Sequence, residues 1–202
     1  MEKVKIQDTT LIGKWEEVDK INASKITGQG DEVLSGLIIY GYEMKWGKSA
    51  NQNGEIYDEG AFDEFINEYF VTGGFNMPVT INHSNALEDL CGRVLYIERN
   101  SVGFYFVVYV PKTYINYALV KNLLKEGILQ GFSKEGFAVD YEYTESGMHI
   151  KKMDIINVSI VSTPANMIHF ESAKETKDKL TFNVKKDENE NKQTSLFDEI
   201  FS

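Results

Sequence analysis

The sequence predicts a strand-dominated domain of the α+β class. Short runs rich in large apolar and β-branched residues recur from about residue 36 to residue 162, separated by loops rich in glycine, asparagine and charge. Two segments, 60–70 and 113–126, have apolar residues at the spacing of an amphipathic helix. Many strands with two helices favour a barrel or a sandwich, and the sequence contains no internal repeat.

The predicted strands follow one another closely along the chain. Residues 37–42 (LIIYGY) form a β-rich run behind a polar stretch that contains glycine. Residues 92–98 and 102–110 are expected to pair through the turn between them, and the near-continuous apolar character of the second predicts a central strand. The other predicted strands are 78–83, 129–141, 148–154 and 155–162.

Each of the two predicted helices is expected to present one apolar face. The first, 60–70, places apolar residues at i, i+3, i+4 and i+7. In the second, 113–126, Thr113 is expected to cap the start and Gly127 to adopt the left-handed conformation just past the end. The apolar stripe predicted for the second helix consists of Ile115, Leu119 and Leu123.

Both ends of the chain differ in composition from the middle. Residues 1–32 are polar with little periodicity and are interpreted as an N-terminal extension of a domain that covers 33–171. The charged runs within 172–202 predict a mobile tail. Its last residues, TSLFDEIFS, are more apolar, so a docking peptide and a tail that folds back on its own domain are both open interpretations.

Charge and cysteine content limit the expected partners and setting. The net charge is −10 and the chain has two arginines, Arg93 and Arg99, so neither a nucleic acid nor an anionic membrane is an expected partner. A basic polypeptide is compatible with this charge. A single cysteine, Cys91, excludes an intrachain disulfide. No signal-peptide core and no membrane-length apolar run occurs, which fits a reducing cytoplasmic setting.

Two residues, His83 and Ser133, are the candidates for chemistry. His83 stands where a predicted strand gives way to a polar loop, and such edges commonly present reactive groups. Ser133 lies between glycines in a run of large apolar residues, where it either fills space or offers its hydroxyl to a substrate carbonyl. A serine needs a base to become nucleophilic, and a histidine can serve. The histidine precedes the serine by about fifty residues, an order unlike chymotrypsin, subtilisin or the α/β-hydrolases.

Other chemistries are less favoured. Cys91 begins an apolar strand, where a buried structural thiol is commoner than a nucleophile. His149 and His169 are interpreted as surface residues. No zinc-binding H-E-x-x-H spacing, Walker motif or dinucleotide-binding glycine pattern occurs. We therefore expect neither a metal nor a cofactor.

Six short motifs follow one another between about residues 36 and 168. They are GAF at 60–62, NH at 82–83, GRV at 92–94, LLKEG at 123–127, GFS at 131–133 and VSIVSTPAN at 158–166. Each motif alone is weak, but the ordered set resembles the caudovirus prohead serine proteases.

The resemblance implies a fold similar to that of the herpesvirus assembly proteases, a β-barrel flanked by helices. It implies a serine endopeptidase in the bacterial host cytoplasm, inside the phage prohead, with Ser133 as nucleophile and His83 as base. The implied partners are the major capsid protein with its scaffolding segment, and the protease itself as a substrate of self-cleavage. Self-association into a homo-oligomer is compatible with this interpretation.

The third catalytic position is where the sequence departs from the family. The family usually has an acidic residue just before the VS pair, and Asn157 occupies that place. Asp154, three residues upstream, is the acidic rival, although the two residues face opposite sides of a regular strand unless a bulge intervenes. The loss of the acid also leaves open a non-catalytic capsid assembly or scaffold protein that retains the protease fold.

Overall fold

Strands make up most of the chain that the computed structural model describes, which is residues 14–24, 32–47, 50–71 and 77–166. The predicted tail and its TSLFDEIFS end lie outside this part. The helices within it are α1 (Asp63–Val71), the short 3-10 helix Leu87–Asp89 and α2 (Tyr117–Lys125). The strands are β1 (Lys14–Asn22), β2 (Val33–Lys45), β3 (Glu55–Tyr57), β4 (Pro78–Ile81), β5 (Leu90–Arg99), β6 (Gly103–Pro111), β7 (Gly131–Thr144) and β8 (Gly147–Val161).

All eight of these strands belong to one sheet. Their order is β1-β2-β6-β5-β4-β8-β3, and β7 pairs with the other side of β8. The strand-dominated class is thus confirmed. Within the described ranges the path runs from β1 to β3 without returning to β1, so closure into the predicted barrel is not confirmed. No helix of this part is long and apolar enough to cross a bilayer.

The N-terminal segment contributes to the sheet. Residues Lys14–Asn22, within the predicted extension, form β1 and pair antiparallel with β2. Strand β2 in turn pairs antiparallel with β6, whose side chains are almost all buried. The apolar pattern of β6 therefore reflects an interior strand, as its sequence predicts.

Helix α2 turns a different face to the core than its sequence predicts. It begins at Tyr117, four residues later than expected, because hydrogen-bonded turns occupy the segment after β6. Thr113 therefore does not cap the helix. The predicted stripe is wrong, since Ile115 and Leu119 are exposed. The face that packs on the core is formed by Tyr117, Val120 and Leu124.

The C-terminal end of α2 agrees with the prediction. Gly127 has φ +67°, the left-handed conformation that glycine adopts without steric cost. Its N–H donates to Leu124 O at 3.1 Å, and the N–H of Ile128 donates to Leu123 O at 2.8 Å. These two bonds form a Schellman motif, which satisfies carbonyl groups that the end of a helix leaves free.

The two longest strands, β7 and β8, form an antiparallel ladder with one bulge close to the candidate site. Ser133 pairs with Ser159 and Glu135 pairs with Asn157, but the next pair is Gly136 with Ile155. The extra residue on β8 interrupts the regular alternation of side chains between the two faces of the strand. A side-chain carbon on Gly136 would lie 1.9 Å from the carbonyl oxygen of Asp154, so this close approach requires glycine.

Candidate active site

His83 lies in a tight turn just after β4. Asn82 and His83 have φ values of 49° and 58°, and the N–H of Ser84 donates to Ile81 O at 3.0 Å, the pattern of a type I′ turn. Asn82 holds this turn against the end of β8, because its Oδ1 accepts from the N–H of Ser162 at 2.9 Å. The predicted strand 78–83 thus ends two residues early, and the turn presents the imidazole to the ladder.

The structure brings His83 and Ser133 together across fifty residues of sequence. Ser133 is the third residue of β7 and is buried. Its Oγ lies 2.8 Å from His83 Nε2. This distance is within the range over which a histidine base takes the proton of a serine nucleophile.

The other ring nitrogen of His83 faces two hydroxyl groups. Ser159 Oγ lies 3.3 Å from His83 Nδ1, and it also accepts from the backbone N–H of His83 at 3.2 Å. Thr80 Oγ1 lies 2.7 Å from the same Ser159 oxygen. If Ser159 donates its hydrogen to Thr80, it can accept from Nδ1–H. These distances are compatible with the tautomer in which Nε2 is free to accept a proton from Ser133.

Neither predicted third residue forms a hydrogen bond with His83. Asn157 is buried on β8 and its Nδ2 donates to Glu135 Oε2 at 2.8 Å. Asp154 lies beyond the bulge, paired with Phe137. Within the described residues, no hydrogen bond or ion pair joins Asp154 to the ring. Glu135 Oε2, in contrast, lies 4.0 Å from His83 Nδ1.

Ser159 and Glu135 are the site residues that sequence reasoning missed. Alternate side chains of a strand share a face, so Ser133 and Glu135 on β7 belong together, as do Asn157 and Ser159 on β8. That signal is present in the sequence. It becomes useful only when the register that pairs Ser133 with Ser159 is known.

The face of β7 opposite the site carries a buried ion pair. Lys134 Nζ lies 2.8 Å from Glu43 Oε2 on β2, and these side chains are 3% and 2% exposed. Lys134 Nζ is also 4.0 Å from the ring centroid of Tyr57. Asn166 Nδ2 donates to the other Glu43 oxygen at 2.8 Å. The buried charges are thus fully partnered and fix β7 directly behind Ser133.

The remaining candidates stay apart from this site. Burial raises the pKa of the Cys91 thiol to about 12, and its Sγ donates to Val79 O at 3.3 Å, so the thiol is neutral and structural. His149 Nδ1 lies 3.8 Å from Asp58 Oδ1. His169 lies outside the described residues.

Comparisons with known proteins identify the family. The family model of the caudovirus prohead serine proteases matches residues 24–193. Among solved structures, the chain is similar to the bacteriophage T4 capsid assembly protease, gp21, with a TM-score of 0.54 and 13% identity over 75% of this chain and 99% of that chain. At this identity the likeness shows the fold alone. No curated protein matches. Because the family model covers most of its length, the chain belongs to the caudovirus prohead serine protease family.

Proposed function

We propose that this protein is a serine endopeptidase that removes the scaffolding segment of the major capsid protein during prohead maturation. The observation that carries the proposal is the 2.8 Å contact between His83 Nε2 and Ser133 Oγ in a chain of this family. The hydroxyl pair behind the ring, Ser159 and Thr80, can accept the hydrogen of Nδ1 and is thus compatible with the tautomer that a base requires.

The proposed reaction is acyl transfer through Ser133. Ser133 Oγ attacks the scissile carbonyl carbon while its proton passes to His83 Nε2. His83 then gives this proton to the leaving amine, which departs as the peptide bond breaks. A water molecule attacks the acyl-enzyme with the same histidine as base, which releases the acid product and restores Ser133.

The edge of β7 that faces away from β8 is a proposed place for the substrate chain. Among the described strands, β7 pairs with β8 alone. An extended peptide that added to this edge would place its carbonyl groups along the strand that carries the nucleophile. A scaffolding segment held in this way would be cut in an extended conformation.

The protease's own tail, 172–202, is the proposed site of self-cleavage inside the prohead.

Coexpression with the capsid protein precursor tests the proposal. Wild-type protein is expected to shorten the precursor, and Ser133→Ala is expected to leave it intact. Glu142→Gln is the matched control, because Glu142 is an exposed residue nine positions further along β7 that pairs with Lys151, and it is expected to cleave like wild type. Intact mass of the protease in the same lysate reports self-cleavage. Unchanged processing by Ser133→Ala would refute the assignment of the nucleophile.

A non-catalytic assembly protein is the second candidate. One observation favours it: within the described residues, no carboxylate oxygen lies within hydrogen-bonding distance of His83 Nδ1, since Glu135 is 4.0 Å away. Such a protein would bind the capsid precursor and leave its length unchanged. Copurification of uncut precursor with the wild-type chain would support this function over the protease.

A further inference from the structure

Glu135 is the acidic group that faces the base. It lies two residues after Ser133 on β7, so both side chains lie on the same face of the strand. Its Oε2 is 4.0 Å from His83 Nδ1. No other carboxylate in the described ranges forms an ion pair or hydrogen bond with this ring. The negative charge nearest to His83 thus comes from the strand of the nucleophile.

The proposed reaction needs such a charge. When His83 takes the proton of Ser133 it becomes an imidazolium cation, which a nearby anion stabilises. Ser159 touches Nδ1 but is neutral, and Asn157 is neutral as well. The His83 and Glu135 side chains are 39% and 42% exposed, so a substrate that covered both would strengthen their attraction by excluding water.

Asn157 holds Glu135 in this position. Its Nδ2 donates at 2.8 Å to Oε2, the same oxygen that faces the histidine. The two residues are direct partners in the β7–β8 register. In the part of the chain described, Asn157 Oδ1 has no hydrogen-bond partner. Turning the amide around would place this oxygen against a carboxylate oxygen, so the contact with Glu135 sets the orientation of the side chain.

We propose that Glu135 stabilises the protonated His83 during catalysis and that Asn157 positions its carboxylate, so that the acidic member of the site comes from β7. This inference rests on the proposed function. Glu135 acts through His83 and is a positioning residue. Asn157 acts one step further away, on the carboxylate and not on the ring.

The test is steady-state cleavage of purified capsid protein precursor by six purified proteins. These are wild type, Ser133→Ala, Glu135→Gln, Glu135→Asp, the double variant Glu135→Gln/Asn157→Glu, and Glu142→Gln. Glu142→Gln is the matched control, since Glu142 lies on the same strand but pairs with Lys151. Thermal unfolding confirms that each protein is folded.

Loss of the charge is expected to act on kcat. Glu135→Gln should lower kcat by roughly 10- to 100-fold with little change in KM. A larger loss is expected only when the catalytic histidine is also held in the wrong tautomer, and here Ser159 still contacts Nδ1. Glu135→Asp should retain more activity than Glu135→Gln. The double variant should regain at least part of the lost kcat, since it places a carboxylate on the residue that pairs directly with position 135 in the β7–β8 register. A purely structural role for Glu135 would not be rescued in this way.

Three outcomes separate the inference from the function on which it rests. If wild type cleaves, Ser133→Ala does not, and Glu135→Gln keeps kcat within about threefold of wild type, the proposed role of Glu135 is wrong and the protease assignment stands. A Glu135→Gln effect confined to KM contradicts it equally. If Ser133→Ala cleaves like wild type, the proposed function itself fails.

Discussion

The two faces of β7 around the nucleophile carry contacts of opposite character, each between a carboxylate and a nitrogen-bearing side chain. On one face, Lys134 and Glu43 lie 2.8 Å apart and are almost completely buried. On the other face, His83 and Glu135 lie 4.0 Å apart and about two-fifths exposed. A buried pair is costly to break because one partner leaves the other charge without compensation, whereas an exposed pair contributes little to stability. On this one strand, Ser133 and Glu135 therefore face the candidate active site, while Lys134 between them faces the interior and stabilises the fold.

The largest effect on stability is expected from breaking the buried pair. Glu43→Gln leaves the Lys134 ammonium inside the domain without its carboxylate, which should lower the free energy of unfolding by about 3–5 kcal/mol. Denaturant unfolding in a Ser133→Ala background measures this without self-cleavage. Glu142→Gln, which removes an exposed partner on the same strand, serves as the control and should leave the unfolding midpoint nearly unchanged. A loss below about 1 kcal/mol for Glu43→Gln would show that the two faces do not differ as described.

An intermediate effect is expected where the ladder beside the site is tightest. Gly136→Ala forces a methyl group toward the Asp154 carbonyl, which must move away, and should lower the free energy of unfolding by about 1–3 kcal/mol. The same shift should disturb the neighbouring Glu135 and reduce the rate of precursor cleavage. Gly47→Ala is the matched control, since nothing lies within 4 Å of its added carbon. Equal unfolding midpoints for the two variants would contradict the close approach at Gly136.

A small effect on stability is expected from the exposed pair, in contrast to its effect on catalysis. Glu135→Gln should change the free energy of unfolding by less than about 1 kcal/mol, because the Glu135 carboxylate stays in contact with water in the free enzyme. Chemical denaturation beside the kinetic assay measures both quantities on one preparation. A loss of several kcal/mol would mean that Glu135 supports the fold and that the kinetic comparison is not specific to the base.

The smallest effect concerns an exposed contact far from the site, between β1 and α2. Lys121 and Tyr117 both donate hydrogen bonds to Glu17, and these bonds, that of Lys121 most, hold the pKa of the Glu17 carboxyl below its ordinary value of 4.5. A lowered pKa in the folded state adds stability above the ordinary value, and this stability is lost as pH falls through the lowered pKa. The contribution should be under about 1 kcal/mol because Glu17 is largely solvated. Glu17→Gln should therefore lower stability slightly at neutral pH and reduce its dependence on pH below 4.5. An unchanged acid profile would contradict the assignment.

The sequence predicts part of this site and misses the rest for a physical reason. His83 and Ser133 stand out because each is a polar residue next to apolar strand residues, and the structure brings them within 2.8 Å. The end of α2 can also be predicted from the sequence, because the left-handed conformation at position 127 favours glycine. Glu135 and Ser159 gain their meaning from the register of two strands, which no local pattern specifies.

For the fold as well, features that depend on a short segment can be predicted from the sequence, and features that depend on distant residues cannot. The strand-dominated class follows from the composition of short segments, and it is confirmed. The apolar face of α2 depends on where the helix starts, and the start is set by turns after β6 that its sequence does not mark. The buried contact of Lys134 with Glu43 joins residues 91 positions apart, so neither residue appears special in its own segment.

Covalent labelling by a serine-reactive phosphonate is a direct test of whether Ser133 is a nucleophile that His83 activates. The full chain is incubated with the probe, digested, and the modified residue is located by mass spectrometry. We expect one adduct, on Ser133, that is lost in His83→Ala and formed more slowly in Glu135→Gln, while Glu142→Gln labels like wild type. A folded wild-type chain that forms no adduct on Ser133, or labels equally well without His83, would contradict it.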